Sequence, residues 1–270
     1  MSGRFLLAGV VGWPVAHSKS PLIHRFWFEA LGLEGDYVRL PVRPEDLGAA
    51  VAALPALGFA GVNVTVPHKV AVMSWLGRLD PLARVAGAVN TVVVGARREL
   101  VGYNTDVPGV REPLAPFAPF PRVVLLGAGG AARAVAAAVR ELGARHLVVL
   151  NRTRAAAEAL LAASGLAGEV GALAGRTPDC DLLVNATMLG MAGMPPLPVR
   201  IGGRPLVFDL VYVPVETALL AEARSRGLPV VDGLSMLVAQ AAEAFRLFTG
   251  MSPPRGQDGV LRARLLEAAE

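Results

Sequence analysis

The stretch VVLLGAGGAARA at 123–134 decides the fold. Its first four residues form a β-branched and leucine run, which predicts a buried strand. Gly127, Gly129 and Ala132 then match the pattern GxGxx[GA], and an alanine-rich helix follows. In this pattern the first small residue permits a tight turn, the second lets backbone approach a pyrophosphate, and the third allows close helix packing. The stretch therefore predicts a dinucleotide site, with a plain tight turn as the alternative.

The end of the next strand indicates which dinucleotide is bound. A site for NAD carries Asp or Glu about 20 residues after the glycines, to bind the ribose hydroxyls. This chain instead has Asn151, Arg152, Thr153 and Arg154. Two guanidinium groups and a hydroxyl suit the 2′-phosphate of NADP, because arginine binds phosphate through a planar fork of donors. The alternative is that these are surface arginines at the start of a helix.

Strands alternate with helices on both sides of this stretch, which predicts an α/β protein with mostly parallel sheets. Ser20 and Pro21 are predicted to cap and begin the first helix. The predicted strands are 5–10, 37–40, 61–66, 88–94, 100–103, 123–126, 146–150, 182–185, 206–210 and 229–231. The predicted helices include 44–56, 70–76, 81–86 and a long C-terminal helix at 234–249.

Composition excludes several classes of protein. Hydrophobic residues make up 53% of the 270 residues, enough for real cores. The best uncharged run, 182–199, contains glycines and prolines that a membrane-spanning helix does not accommodate. The single cysteine, Cys180, allows no internal disulfide, and the histidines fall in no metal-ligand spacing, so no metal is predicted. With a net charge of +4 and scattered arginines, neither nucleic acid nor membrane is expected as a partner.

Two residue types are scarce enough to be informative. Of the 26 lysines and arginines only Lys19 and Lys69 are lysine, and asparagine occurs only at 63, 90, 104, 151 and 185. Where a residue type is generally avoided, we expect its few members to have a function. The N-terminal residues lack the basic start and apolar segment of a signal peptide, so a cytoplasmic location is expected.

Nine motifs, which together contain every lysine and asparagine, resemble in order those of the shikimate dehydrogenase family. They are HSKSP at 17–21, NVTVPHK at 63–69, GAVNT at 87–91, GYNTD at 102–106, GAGGAARA at 127–134, NRT at 151–153, NAT at 185–187, DLVYVP at 209–214 and DGLSMLVAQ at 232–240. One position departs from the family: many relatives have a second basic residue where this chain has Ala156. Arg154 is the candidate replacement.

The resemblance implies a site for shikimate, which has a carboxylate and three ring hydroxyls. It implies that Ser18 and Ser20, at a helix N-terminus that favours anions, bind the carboxylate with help from Tyr212. It also pairs Lys69 with Asp106 at the reacting hydroxyl. The implied ligands of the remaining substrate oxygens are Thr65, Asn90 and Gln240.

A lysine ammonium is a poor base at neutral pH, so the implied role of Lys69 needs a physical account. We expect Lys69 to hold the hydroxyl, stabilise developing alkoxide charge and shuttle the proton, while Asp106 orients it. The implied cofactor-binding residues are Gly127, Ala128, Gly129, Gly130, Ala131, Asn151, Arg152, Thr153, Arg154, Asn185, Thr187, Val211 and Gly233.

The resemblance implies a two-domain enzyme that reduces 3-dehydroshikimate to shikimate with NADP. Residues 1–103 with 234–270 would form the α/β substrate domain, and 104–233 a Rossmann-like NADP domain. The C-terminal helix would pack back on the first domain. A quinate/shikimate dehydrogenase with relaxed cofactor use and a non-catalytic NADP or shikimate sensor remain alternatives. The sequence does not fix the oligomeric state, and a homodimer is left open.

Overall fold

The computed structural model describes residues 5–268. Within this part of the chain two compact units are found: unit 1 comprises residues 5–105 and 240–268, and unit 2 comprises 106–239. No helix of the described residues is long and apolar enough to cross a membrane. The two units are α/β structures, each built on one main sheet, as predicted.

Unit 1 contains a mixed six-stranded sheet in the order β2-β1-β3-β5-β6-β4. The first three strands are parallel to one another, whereas β5 runs antiparallel to both of its neighbours. The strands are β1 (Leu6–Gly12), β2 (Gly35–Pro41), β3 (Phe59–Val64), β4 (Arg78–Leu79), β5 (Thr91–Val94) and β6 (Leu100–Tyr103). The helices of this N-terminal part are α1 (Ser20–Ala30), α2 (Leu47–Ala53) and α3 (Pro81–Ala86).

The C-terminal part of the chain completes unit 1. The helix α8 (Gly233–Thr249) reaches unit 1 from Gln240 onward, and α9 (Asp258–Glu267) follows it. Phe245 of α8 is fully buried and packs against Trp27 of α1, with ring centroids 5.5 Å apart. Gly61 of β3 has no side chain, and a Cβ there would lie 2.6 Å from Phe248. The prediction that the C-terminal helix packs on the first domain is confirmed.

Unit 2 contains a six-stranded, fully parallel sheet in the order β14-β13-β11-β7-β8-β9. Its four central strands are buried on both faces, in keeping with their continuous apolar runs. The strands of the sheet are β7 (Arg122–Leu126), β8 (His146–Leu150), β9 (Ala167–Gly171), β11 (Leu182–Asn185), β13 (Leu206–Asp209) and β14 (Val230–Val231). The remaining elements are α4 (Asp106–Leu114), α5 (Gly130–Glu141), α6 (Arg154–Ser164), α7 (Ala218–Ser225) and the short pair β10 (Gly175–Arg176) and β12 (Val199–Arg200).

Some local predictions need correction. Residues 71–75 form a 3-10 helix, and the predicted helix at 44–56 begins with a 3-10 turn at 44–46 before α2. The strand predicted at 88–94 begins only at Thr91, because α3 ends at Gly87 in the left-handed conformation and the chain must turn before pairing can start. The predicted cap of α1 is also wrong, because Ser20 is already the first helical residue and Lys19 is the N-cap.

Candidate active site

Four chain segments of unit 1 meet at one edge of its sheet. The parallel strands β1 and β3 and the strand β6 all end there, and the antiparallel strand β5 begins there. The segments are 13–19 after β1, 65–70 after β3, Asn90 before β5 and 104–105 after β6. In open α/β sheets ligands bind outside the carboxyl ends of the strands. Most of the predicted substrate residues of unit 1 lie on these segments.

The first of these segments carries Ser18 and leads directly into Ser20. The α1 helix begins at Ser20 itself, and Lys19 occupies the N-cap position without a side-chain cap bond. Ser18 supplies the acceptor instead, since its Oγ receives the backbone N–H of Ser20 at 3.3 Å. The guanidinium of Arg39 donates two hydrogen bonds to the Ser18 carbonyl, at 3.0 and 2.6 Å. The loop is thereby held with both hydroxyls at the N-terminus of α1.

The segment after β3 carries Thr65 and Lys69, both half-buried. The backbone N–H of Thr65 donates to the Val11 carbonyl at 2.9 Å, which ties the segment to β1. The Lys69 carbonyl accepts a hydrogen bond from the Val89 N–H at 2.8 Å, one residue before Asn90. These bonds fix the backbone at both ends of the segment, so Lys69 is presented from a constrained loop.

Asn90 is buried in a network of amide and hydroxyl groups. Its Oδ1 accepts the backbone N–H of Thr105 at 2.7 Å and its Nδ2 donates to the Thr105 hydroxyl at 2.9 Å. The Thr105 hydroxyl lies 3.5 Å from Oε1 of Gln240, the site residue on α8. Asn90 and Gln240 therefore lie together within unit 1, which required α8 to pack on this unit.

Asp106 and Tyr212 belong to unit 2. Asp106 is buried and is the first residue of α4, directly after Thr105 in the chain. Tyr212 is half-buried in the segment after β13. Lys69 and Asp106 thus belong to different units, and their pairing stays a prediction.

The glycine-rich stretch lies at the point where the strand order of unit 2 reverses. The chain runs from β7 outward to β8 and β9, then returns to place β11 on the other side of β7. Gly127 has a φ of 105°, and a Cβ there would lie 3.0 Å from Cγ2 of Thr187 in the segment after β11. A Cβ on the exposed Gly129 would have no described atom within 4 Å, so open space adjoins the start of α5.

These features fit a dinucleotide. The N-terminus of a helix that follows open space favours a pyrophosphate, because its free N–H groups and dipole attract negative charge. Ala132 is fully buried, as the third small residue of the pattern requires. Ala128, Gly130 and Ala131 are half-buried around the turn.

The segment after β8 presents two exposed arginines. Arg154 forms an ion pair with Glu158 at 2.7 Å on the first turn of α6. Arg152 is exposed and has no hydrogen-bond or ion-pair partner within residues 5–268. Asn151 donates from Nδ2 to the Thr153 carbonyl at 2.9 Å, which closes the turn between them. Of the two arginines, Arg152 is therefore the better placed to bind a phosphate.

A buried carboxylate braces the other side of the turn. Asp209, at the end of β13, accepts hydrogen bonds from Asn185 Nδ2 at 2.8 Å, the Thr217 hydroxyl at 2.7 Å and the Val211 N–H at 3.0 Å. Asn185 Oδ1 accepts both the N–H and the hydroxyl of Thr187, at 3.0 and 2.7 Å. Asn185 has no exposed surface, so its side chain holds the segments after β11 and β13 in place.

The Asp209 carboxyl is sensitive to the loss of a donor. Burial raises its pKa, and the hydrogen bonds from Thr217, Val211 and Asn185 oppose that rise. We expect Asn185→Ala to lower the free energy of unfolding by about 2–3 kcal/mol, because it removes one donor to the buried Asp209 and the acceptor of the Thr187 N–H and hydroxyl. The carboxyl pKa of the folded variant rises further above its unfolded value, so the loss of stability grows as pH rises through that pKa.

Urea unfolding followed by circular dichroism at several pH values measures this effect. Tryptophan fluorescence does not replace it, since Trp13, Trp27 and Trp75 all belong to unit 1. Val170→Ala on the outer strand β9 is a control with a smaller expected loss, as this residue is only half-buried. A loss below about 0.5 kcal/mol for Asn185→Ala is near the size of ordinary surface substitutions. It would contradict the role of Asn185 in holding the segments after β11 and β13 in place.

Two residues that hold the site, Asp209 and Asn63, lie in motifs named from the sequence but were given no role there. Asp209 stands at the end of the apolar run LVFD, and a charged residue ending a buried strand was a usable signal. Asn63 is a polar residue at a buried strand position between two valines. Gly233 and Val211, by contrast, were both predicted. A Cβ on Gly233 would lie 2.5 Å from the Val211 carbonyl, so the chain passes closely there.

Comparisons with known proteins agree with this geometry. The family model of the shikimate dehydrogenase substrate binding domain matches residues 10–92, and that of the shikimate 5'-dehydrogenase C-terminal domain matches 233–257. A shikimate dehydrogenase (NADP(+)) of Sphingopyxis alaskensis is 48% identical over 96% of this chain and 96% of the relative.

Solved structures are similar over the whole length. The shikimate 5-dehydrogenase of Thermus thermophilus, in complex with NADP(H) and shikimate, is 40% identical with a TM-score of 0.82, covering 97% of this chain and 100% of that one. The quinate dehydrogenase of Corynebacterium glutamicum, in complex with NAD, is 33% identical with a TM-score of 0.84, covering 98% and 99%.

Proposed function

The chain belongs to the shikimate dehydrogenase family, and we propose that it catalyses the reversible NADP-dependent reduction of 3-dehydroshikimate to shikimate in aromatic amino-acid biosynthesis. One observation carries this proposal: the chain segments that bear Ser18, Ser20, Lys69 and Asn90 meet at one edge of the sheet of unit 1. That edge offers donors for an anion and a cation for a reacting hydroxyl, which is the pair of groups that shikimate needs.

We assign substrate binding to residues 1–103 with 234–270. In this assignment Ser18 and Ser20 receive the carboxylate at the N-terminus of α1, with Tyr212 as a further donor. The buried amides of Asn90 and Gln240, with Thr65, bind the ring oxygens. Asn90 is supported by its hydrogen bonds to Thr105, so its amide is held in one orientation before substrate arrives.

Lys69 and Asp106 are the proposed catalytic pair. In the direction of reduction, the Lys69 ammonium donates a hydrogen bond to the substrate carbonyl oxygen and stabilises the negative charge that develops there. It then passes a proton to that oxygen, and the Asp106 carboxylate orients the ammonium. Both backbone bonds that anchor the Thr65–Lys69 segment serve this role by fixing the main chain from which the Lys69 side chain extends.

We assign NADP binding to residues 104–233. Bound NADPH supplies the hydride for reduction, and NADP⁺ accepts it in the reverse direction. The glycine turn and the N-terminus of α5 receive the pyrophosphate, while Arg152, with Asn151, Thr153 and Arg154, receives the 2′-phosphate. Asn185, Thr187, Val211 and Gly233 form and brace the nicotinamide end. A cytoplasmic location and a homodimer stay predictions from sequence.

Steady-state kinetics tests this function. The purified protein is given shikimate or quinate with NADP or NAD, and absorbance is followed at the band of reduced nicotinamide. We expect reduction of the nicotinamide with shikimate and NADP, and at most weak reduction in the other three combinations. Strong activity with quinate and NAD would move the assignment to the broader quinate/shikimate enzymes. No activity in any combination would favour the sensor.

A further inference from the structure

A connected series of buried polar side chains runs through the core of unit 1. It starts at Ser18, whose hydroxyl donates to Ser20 Oγ at 3.3 Å. Beyond Ser20 it continues through a tyrosine and an asparagine that the proposed chemistry does not use. It then reaches the Asn90 network and ends at Gln240. The described members of this series are all buried.

Tyr37 of β2 is the central link. Its hydroxyl donates to Oδ1 of Asn63 at 2.7 Å. Burial raises the pKa of this hydroxyl, and the Ser20 side chain opposes that rise as a donor to it, since the single phenol hydrogen is given to Asn63. The ring is fully buried, so Tyr37 cannot touch a ligand.

Asn63 carries the series onward. Its Nδ2 donates to the Thr91 hydroxyl at 2.9 Å and lies 3.3 Å from the Asn90 carbonyl. The Thr91 hydroxyl in turn donates to Asn90 Oδ1 at 3.1 Å. From Tyr37 to Asn90, each link therefore has a defined donor and acceptor. A change at Tyr37 removes the acceptor for Ser20 and the donor for Asn63 together.

The Tyr37 ring is itself held in place. It stacks on His24 of α1 with ring centroids 4.1 Å apart and an angle of 10° between the planes. Burial lowers the pKa of His24 to about 3, so this ring stays neutral at ordinary pH. The stacked pair gives the phenol hydroxyl one position between Ser20 and Asn63.

We propose that Tyr37 is a positioning residue for the substrate, whose hydroxyl sets the orientation of Ser20 at the carboxylate end and, through Asn63, of Asn90 at the ring-hydroxyl end. The inference rests on the proposed function. In this proposal Tyr37 does not contact the substrate. It keeps Ser20 and Asn90 in a fixed relative position, so that a rigid substrate can bind to both at once.

The test is the variant Tyr37→Phe, which keeps the stacked ring and removes only the hydroxyl. We expect its KM for shikimate to rise about tenfold, because Ser20 loses its acceptor and Asn63 loses its donor, each a neutral hydrogen bond. We expect kcat and the KM for NADP to change less than about twofold. A purely structural role would not separate the two KM values in this way.

Val51→Ala in α2 is the matched control, because Val51 is fully buried in the same unit and has no part in the series of polar side chains. It should lower the melting temperature while leaving the KM for shikimate unchanged. A Tyr37→Phe enzyme with wild-type KM, or an equal rise in KM for Val51→Ala, would overturn the inference while leaving the proposed function intact. A wild-type protein that does not turn over shikimate would overturn both.

Discussion

Replacing Lys69 by methionine lowers kcat for shikimate oxidation by about a thousandfold. Methionine keeps much of the aliphatic length but has no charge and no proton to transfer, so both alkoxide stabilisation and proton transfer are lost. The KM for NADP should stay within about threefold, because Lys69 is assigned to the substrate site. Initial rates at saturating shikimate and NADP measure the change.

Two further variants separate folding from chemistry. Lys69→Arg keeps a positive charge, but a guanidinium does not give up its proton, so kcat should stay at least about a hundredfold below wild type. Arg97→Ala removes an exposed cation of unit 1 in the turn between β5 and β6 and should leave kcat unchanged. A Lys69→Met enzyme within tenfold of wild-type kcat, with an unaltered melting temperature, would remove Lys69 from the mechanism.

Replacing Arg152 by serine raises the KM for NADP by about 30-fold and leaves the KM for NAD within about threefold. The physical reason is the loss of charge-assisted hydrogen bonds to the 2′-phosphate, which are worth about 2 kcal/mol. Since every 1.4 kcal/mol is about tenfold in affinity, a loss of about 2 kcal/mol corresponds to the expected rise of about 30-fold in the KM for NADP. The ratio of kcat/KM for the two cofactors is the quantity to measure.

Arg176→Ser supplies the matched control, because Arg176 is also an exposed arginine of unit 2 but lies on the short strand β10. It removes the same charge and should not alter the cofactor ratio. If Arg152→Ser changed the KM for NADP and NAD equally, Arg152 would not be reading the 2′-phosphate. Arg154, already paired with Glu158, would then be the next arginine to replace.

The fold of unit 2 was predictable because every local signal in 123–134 agrees with the tertiary structure. The apolar run is a buried strand, Gly127 has a φ that favours glycine, and the small residues that follow begin α5. The resulting sheet has the strand order of a doubly wound nucleotide-binding domain, with its glycine turn at the reversal of strand order.

Two elements at the edges of the units, β9 and α9, were not predicted because few of their side chains are buried. The strand β9, AGEVG, lies at the sheet edge and has mostly exposed side chains, so it lacks an apolar alternation. The helix α9 buries only Leu261 and Leu265, a spacing that could have predicted it. The cap of α1 was misplaced because both Ser18 and Ser20 can accept a backbone N–H, and sequence alone does not choose between them.

The candidate site was predictable as a set of motifs but not as a network. Motif order identified Ser18, Ser20, Asn90 and Gln240, yet nothing in the spacing indicated that buried hydrogen bonds join them. Tyr37 lies in a short strand outside every motif, and its role depends on contacts between β2, α1 and β3. Such contacts depend on sheet register, which a single sequence does not specify.

A crystal structure of the protein with shikimate and NADP⁺ would show directly how the substrate is oriented. We expect the carboxylate at Ser18 and Ser20, ring hydroxyls at Asn90 and Gln240, and the reacting hydroxyl within hydrogen-bond distance of Lys69. A carboxylate bound at Lys69 with a ring hydroxyl at the two serines, or shikimate bound away from this sheet edge, would contradict this orientation.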